Sequence, residues 1–443
     1  MAKKKQIELT IEEKLQNALV PKEEQPYKIP SNWCWTYIHN IAIVVTGKTP
    51  SKKNKEYYGG KFPFFKPADL DAGGNMQYAT EYLSEKGKSI SVIIPEKATG
   101  ICCIGTIGKC GYFLVEGTTN QQINTVISKI NPLYSYYFFN TNSFVRELIS
   151  KASATTIAIV NKSKLESCLF PVAPLNEQQR IVNRIESLFV KLDRAKELIE
   201  NTLAQFEQNK MAILHKAFTG ELTAKWRKEN NIDLSSWKKC ELKEVFKVVK
   251  DKYNPQTENQ IVNYIGLENI ETSKGIISKN NSSEVKSIKT KFKKDDVLYG
   301  KLRPYLNKHD VVNFDGICST DILVFRFNDI NTAKYINYYF NLPMFIQYAV
   351  ENSSGINLPR VSEKTISKYK ISLPTIEEQQ EIVNILDNLL AKYNKIKNLE
   401  QQLEKIELLK KAILAKAFRG ELGTNNPDEE SAENLLKEIL AEK

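Results

Sequence analysis

Between residues 378 and 406, apolar side chains fall at Ile382, Leu386, Leu389, Tyr393, Ile396, Leu399, Leu403 and Ile406, in steps of three and four. Charged and amide residues fill the positions between, so the stretch predicts one long helix with a coiled-coil seam. The same spacing occurs earlier, at Ile181, Ile185, Leu188, Leu192, Ala195, Ile199, Leu203 and Phe206. The two stretches are copies of each other. Residues 177–222 open Glu-Gln-Gln-Arg-Ile-Val-Asn, and residues 378–422 open Glu-Gln-Gln-Glu-Ile-Val-Asn. They close on Ala-Ile-Leu-His-Lys-Ala-Phe-Thr-Gly-Glu-Leu and Ala-Ile-Leu-Ala-Lys-Ala-Phe-Arg-Gly-Glu-Leu, with about twenty identical positions in all. That is an internal repeat, beyond chance. The step from Ala195 to Ile199 is one residue longer than that from Ile396 to Leu399, which places a local stutter there. Prolines 174 and 374 precede the copies, and Asn176 with Gln179 and Thr375 with Glu378 predict capping boxes. Gly220 and Gly420 stand where a helix needs a left-handed terminator. About 42 residues at 1.5 Å each make a rod of roughly 60 Å.

Shorter patterns fill the rest of the chain. Apolar runs at Ser91–Ile94, Ile101–Ile104, Ile123–Ile127, Val297–Tyr299, Ile317–Cys318 and Ile322–Phe327 predict strands separated by glycine-containing turns. Helix-like stretches follow near 143–151 and 333–350. Asn32-Trp33 with Ile38 matches Ser236-Trp237 with Leu242, so the segments ahead of the rods are themselves a diverged pair. The expected fold is α+β. An N-terminal helical segment (1–28), a domain (29–175), a rod (176–222) and a connector (223–233) precede a second domain (234–375), a second rod (376–422) and an acidic C-terminal segment with a short helix (423–443). Two similar rods in one chain most simply pack antiparallel with approximate two-fold symmetry; the alternative is that each rod covers its own domain.

Charge follows the same divisions. The chain of 443 residues carries a net +11. Segment 29–175 accounts for +6 and segment 234–375 for +7, whereas both rods are neutral and 423–443 carries −4. Two separate basic modules fit anion binding better than one basic tail does. The 42% hydrophobic content is too high for disorder, and no apolar run is long enough to span a membrane. Seven scattered cysteines and three histidines leave no metal-ligand spacing to write, and a reduced, cytoplasmic setting is expected.

Catalytic signatures fail on inspection. Thr46-Gly47-Lys48-Thr49 resembles the end of a phosphate loop, but Ala42 stands where its first glycine belongs. Asn131-Pro132-Leu133-Tyr134 resembles the Asn-Pro-Pro-Tyr of adenine methyltransferases without its second proline, and reads rather as a turn. Cys102-Cys103 reads as strand core. The sequence therefore predicts no catalytic residue and no metal site.

The loops carry what chemistry remains. In the first domain, residues 47–61 hold Lys48, Lys52, Lys53, Lys55 and Lys61 with Tyr57, a set suited to phosphates and sugars or to a solvated loop. The turn Gly105-Thr106-Ile107-Gly108-Lys109 is followed by Asn120 and Gln121, whose amides match the adenine edge or cap a strand end. The second domain offers Lys291, Lys293, Lys301, Arg303, Tyr305 and Lys308, with Arg303 the best guanine reader because its planar fork matches O6 and N7. Gly316–Asp321 takes the place of the Asn120-Gln121 stretch, and Arg360 that of Lys162 and Lys164.

With these residues in hand, the chain resembles the specificity subunits of type I restriction-modification systems. The resemblance rests on the duplicated helices, Tyr58-Gly59-Gly60, Gly105–Lys109, Lys301-Leu-Arg-Pro-Tyr305 and Gly316–Thr320, and it covers essentially the whole chain. It implies two target recognition domains, each reading one half of an asymmetric bipartite double-stranded DNA site, with the rods as spacer and as docking surface for two adenine methyltransferase subunits. It also implies a separate ATP-dependent restriction subunit. S-adenosylmethionine, ATP and magnesium would belong to those partners and none to this chain. The helices at 7–19 and 431–440 would close the structure circularly. Two other classes remain open at this point: the DNA-reading subunit of a system with one combined methylase-nuclease partner, and a coiled-coil scaffold without a DNA role.

Overall fold

The computed structural model describes residues 9–153, 158–258, 260–394 and 397–442. The chain divides into two compact units, residues 1–198 with 401–443 and residues 199–400. Each unit therefore contains one recognition-type domain, the start of one long helix and the end of the other. The repeat predicts this: two neighbouring antiparallel helices pair the beginning of one copy with the end of the next.

In the first unit, strands Ala42–Thr46, Ile123–Ser128, Thr99–Cys102 and Cys110–Tyr112 form a four-stranded antiparallel sheet in that order. Tyr58–Phe65 pairs with Glu81–Leu83 on one side and runs parallel to Thr118–Thr119 on the other. Cys34–Tyr37 and Leu169–Val172 pair antiparallel, tying the beginning of the domain to its end. In the second unit the four-stranded sheet recurs strand for strand as Lys247–Val248, Ile322–Arg326, Val297–Gly300 and His309–Val311. A five-stranded sheet lies beside it in sequence, and Lys238–Glu241 with Lys370–Leu373 repeats the closing pair. The domains share a frame although their sequences have diverged.

The rods bury their seams at the domains. The first helix spans Leu175–Thr219, and the second copy is helical over Ile376–Asn394 and Lys397–Ala417. Ile181, Val182 and Ile185 share one core with Leu414, Ala417 and Phe418. Leu214 and Ala217 share another with Ile382, Val383 and Leu386. Within the first unit Asp193 meets Lys410 and Lys196 meets Glu407, so numbering rises along one helix as it falls along the other. That order is antiparallel. Leu188, Leu192, Ile199, Leu203, Leu389 and Leu403 are only half-buried, as in a two-helix seam with solvent on both flanks. Ile396 and the Tyr393 side chain lie outside the described residues; of the predicted stutter only the first-copy step is described, where helix Leu175–Thr219 runs without a break through Ala195 and Ile199.

The chain ends meet within the first unit. Helices Ile11–Ala18 and Ala432–Ala441 bury Leu15 and Ala18 with Leu436, Ile439 and Leu440, and Lys437 reaches Glu12 at 3.3 Å. The elements of one unit recur approximately in the other, and the two terminal helices are held together within the first. Gly220 and Gly420 adopt φ of +82° and +74°, the left-handed caps their positions require.

Several local expectations are corrected. Ser91–Ile94 is not a strand. Only Ile94 bridges, to Gly117, because a helical turn ends at Ser89 and Pro95 follows. The 333–350 stretch is two helices, Ile330–Tyr339 and Pro343–Glu351, because Pro343 forces Leu342 into extended geometry. Asn131 is not in a turn. It caps helix Pro132–Phe139, accepting from the backbone N–H of Leu133 and Tyr134 at 3.1 Å. Asn176 does not cap its rod, which starts one residue earlier. Gln178 folds back instead, donating Nε2 to Ala173 O at 2.8 Å, as Gln379 does to Pro374 O. Thr375 accepts from Glu378 N at 3.4 Å, but the Glu378 carboxylate is drawn elsewhere, so that box is half formed. Among the described residues no helix is long and apolar enough to cross a membrane, and no cluster of three or more metal-ligating side chains occurs.

Candidate nucleic-acid interface

One end of each four-stranded sheet gathers the loops. In the first domain Thr46 pairs with Asn124 and Cys102 with Ile123, so the segments leaving these positions emerge at the same edge. Backbone bonds then join them: Gly47 N to Ile123 O at 3.2 Å, Lys48 N to Thr119 O at 2.9 Å and Cys103 N to Gln122 O at 2.8 Å. Thr49 Oγ1 donates to Gln121 Oε1 at 2.5 Å. The lysine loop, the Gly105–Gly108 turn and the Asn120–Gln122 segment thus form one rim.

The second domain builds the same rim from different residues. Lys301 N donates to Asp321 O at 2.9 Å, the counterpart of the Cys103–Gln122 bond, and Val361 N donates to Lys301 O as Val160 N does to Cys103 O. Ser319 N to Ile265 O repeats Asn120 N to Phe65 O. These bonds set Arg303 opposite Gly105, and both are left-handed, with φ of +52° and +80°. The far side of each turn is left-handed too, at Asn307 (+42°) and Gly108 (+87°). Glycine takes that conformation freely, whereas an arginine there is strained. The turn holds it because Arg303 N donates to Pro359 O at 2.7 Å and Pro304 follows. Asn307 is anchored by its amide, which donates to Phe340 O at 3.0 Å.

The same register corrects the pairing of Arg360 with Lys162 and Lys164. Leu302 bridges Arg360 as Ile104 bridges Ile159, so the counterpart of Arg360 is Ile159.

The candidate cations differ in what already holds them. Lys48, Lys52, Lys53, Lys55 and Lys61 are exposed, and no carboxylate of the described residues lies within ion-pair distance of them. Lys293 and Arg303 are exposed in the same way, and Lys301 is half-buried. Lys109 is paired with Asp71 at 2.7 Å and Lys291 with Glu258 at 2.6 Å. Lys308 donates to Leu267 O at 2.7 Å, and Arg360 bonds Asp321 Oδ1 at 3.2 Å. Those four stabilise the rim rather than present a free charge. Asn120 is buried with its amide committed to Gln122, at 2.9 and 3.1 Å, so it shapes the loop. Gln121, Thr106 and Tyr305 face solvent, and Tyr57 is half-buried.

A second pair of sites escaped the sequence reading. Glu177 and Glu378, at matching positions in the repeat, are both fully buried carboxylates. Glu177 accepts from Trp33 Nε1 at 2.7 Å, Asn425 Nδ2 at 2.9 Å and Thr424 Oγ1 at 3.2 Å. Glu378 accepts from Trp237 Nε1 at 2.8 Å, Thr223 Oγ1 at 2.6 Å and Arg227 Nη1 at 2.5 Å. Each carboxylate therefore clasps the tryptophan that opens its domain and the connector that leaves the other rod. The signal was present in the repeated Glu-Gln-Gln and in the matched Trp33 and Trp237. Beside the first clasp, Arg180 forms a bidentate pair with Glu429 at 2.7 Å, which holds the Glu429 carboxyl below its usual range.

Among the described residues, the cysteines and His309 are held in inert settings. The seven cysteines are buried, and burial raises the thiol pKa of each of the five first-domain residues, to about 11 for Cys103 and about 12 for Cys34. His309 is buried against Asn337 at 2.7 Å, and desolvation pushes it down to about 4, so it is neutral.

Comparison with known proteins agrees with this frame. A family model described as the type I restriction modification DNA specificity domain matches residues 30–207 and again 235–408. The EcoDI type I restriction enzyme specificity subunit of Escherichia coli is 24% identical over 94% of this chain and 96% of its own length. The MjaIX specificity subunit of Methanocaldococcus jannaschii is also 24% identical, over 90% and 96%. Among solved structures, a chain from work on complex assembly and conformational transition of the type I R-M system aligns with a TM-score of 0.69. It shares 18% identity and covers 89% of this chain and all of its own. The HsdS subunit of Thermoanaerobacter tengcongensis aligns with a TM-score of 0.56 at 18% identity, covering 90% and 99%. With the family model matched twice, once in each copy of the repeat, the chain belongs to the type I restriction-modification DNA specificity subunits.

Proposed function

We propose that this chain selects the DNA sequence for a type I restriction-modification complex and performs no chemistry itself. Each domain reads one half of a bipartite duplex site, and the paired helices set the unread gap between the halves. The observation that carries this reading is the doubled rim. One backbone frame presents Gly105 in one domain and Arg303 in the other, with the same bonds around each. A frame held constant while its presented side chains differ suits two readers of unlike sequences.

The partners follow from the family to which the chain belongs. Two adenine methyltransferase subunits would dock along the helices and bring S-adenosylmethionine, and a restriction subunit would bring ATP and magnesium. The names of the relatives favour these separate subunits over a single combined methylase-nuclease partner. Cytoplasmic DNA is the expected substrate. Genome-wide mapping of methylated adenine, in cells carrying this chain with its methyltransferase, tests the reading. A motif of two short blocks separated by a fixed number of unspecified bases supports it, and a continuous motif refutes it.

A further inference from the structure

Residues 354–360 form a short hairpin in the second domain. Ser354 and Arg360 exchange both backbone bonds, at 2.9 and 2.8 Å, and Gly355 at φ +102° turns the chain between them. Ile356 lies in that turn with its entire side chain in solvent, 102% exposed, against 75% for Tyr78 and 72% for Ile261. Single exposed apolar residues are ordinary. This one differs in how firmly it is held and in what surrounds it.

The hairpin is stitched to the strained arginine turn. Leu302 bridges Arg360, Arg303 N donates to Pro359 O at 2.7 Å, and Val361 N donates to Lys301 O at 3.0 Å. The Arg360 guanidinium bonds Asp321 and Leu358 O, closing the base of the hairpin. The hairpin is thereby fixed to the turn that carries the exposed Arg303 and Tyr305, the latter 53% exposed, and it bears a second exposed apolar residue, Leu358, at 43%.

We infer that Ile356 is a wedge that enters the base stack of the DNA half-site while Arg303 reads a base edge next to it. This rests on the DNA-reading function proposed above. The chemistry favours a duplex as the occupant. A groove is walled by phosphates, which suit Lys301 and Arg303, and a base step opened at its floor exposes apolar base faces, which suit isoleucine. Partial unstacking would let the second domain sense the deformability of a base step as well as its edges. In sequence, the segment of equal length between Ser153 and Ile159 of the first domain carries Thr155 two residues after Ser153, where Ile356 follows Ser354. The apolar residue is therefore particular to the second domain's sequence.

The test uses the full chain assembled with its methyltransferase subunits. The probe is a duplex carrying the mapped site, with 2-aminopurine at successive positions of the half read by the second domain. The wild type raises 2-aminopurine fluorescence at one step. Ile356→Ala and Ile356→Thr abolish that rise and weaken binding about tenfold, while Ile356→Met keeps both. Melting temperature stays unchanged, since the side chain touches nothing in the fold. Wild-type affinity and fluorescence in Ile356→Ala would overturn the proposal. So would loss of the methyltransferase subunit on size exclusion with DNA binding intact, which would make the tip a protein contact. Failure of the wild type to bind the duplex is a separate outcome and refutes the DNA-reading function instead.

Discussion

Replacing Glu378 by glutamine should unfasten the second unit far more than the same change at Glu177 unfastens the first. The two carboxylates occupy equivalent places, yet their donors differ. Glu378 faces the guanidinium of Arg227, whose side chain is only 9% exposed and also donates to Thr223 and Gly220 O. Glutamine there leaves a buried cation without its counter-charge, a change that costs about 3–5 kcal/mol. The bonds to Glu177 come from an indole, an amide and a hydroxyl, while nearby Arg180 is bound to Glu429. Its neutral replacement should cost about 1–2 kcal/mol, because lost hydrogen bonds are offset by relief of a buried charge. Hydrogen exchange by mass spectrometry reads the effect locally. Amides of 223–233 should lose protection in Glu378→Gln, and those of 424–426 should lose much less in Glu177→Gln. Adding Arg227→Met to Glu378→Gln should recover part of the loss, since it removes the stranded charge. Equal costs at the two sites, or additive losses in the double variant, would refute the reasoning.

Three further outcomes are expected. Arg303→Gly should leave the melting temperature unchanged or slightly raised, because glycine relieves the left-handed strain, while discrimination at one base pair falls by about 1–3 kcal/mol; unchanged specificity in a binding-site selection would remove Arg303 from the interface. Replacing Lys52, Lys53 and Lys55 together by alanine should lower the slope of log affinity against log salt by up to about 3, similarly for all sequences. An unchanged slope would mean that the loop does not reach phosphates. His309 is neutral in the fold with its pKa at about 4, below the usual 6.5. Its contribution is therefore complete above pH 6.5 and is lost as pH falls toward 4, roughly 3 kcal/mol in all. Thermal melts between pH 7.5 and 4.5 should fall steeply in the wild type and less so in His309→Gln, and parallel curves would contradict the assignment.

What the sequence disclosed depended on the range of the interaction. The rods and their C-terminal glycine caps were legible because periodicity and glycine placement are local, and the basic modules because charge adds along a segment. The fate of individual cations was not. Lys308 and Lys291 read as phosphate contacts until their partners appeared, and those partners, Leu267 and Glu258, come from elsewhere in the domain. The clasps were hidden for a related reason. Glu378 fits a capping box at three-residue spacing, but Trp237 and Arg227, 141 and 151 residues away, compete for its carboxylate and win. The equivalence of Gly105 and Arg303 needed the backbone itself, since nothing in Gly-Thr-Ile-Gly and Arg-Pro-Tyr-Leu-Asn announces a shared turn. Pro343 and Asn131 carried readable signals, a helix break and a helix cap, that a coarse periodic reading passed over.

The central claim is that two independent readers share one frame, and exchanging one of them tests it most directly. Residues 29–175 are replaced by the corresponding domain of another specificity subunit, and methylated adenines are mapped in cells carrying the chimera with the same methyltransferase. The account predicts that one block of the bipartite motif changes while the other block is retained. A change in both blocks, or in neither, would contradict it.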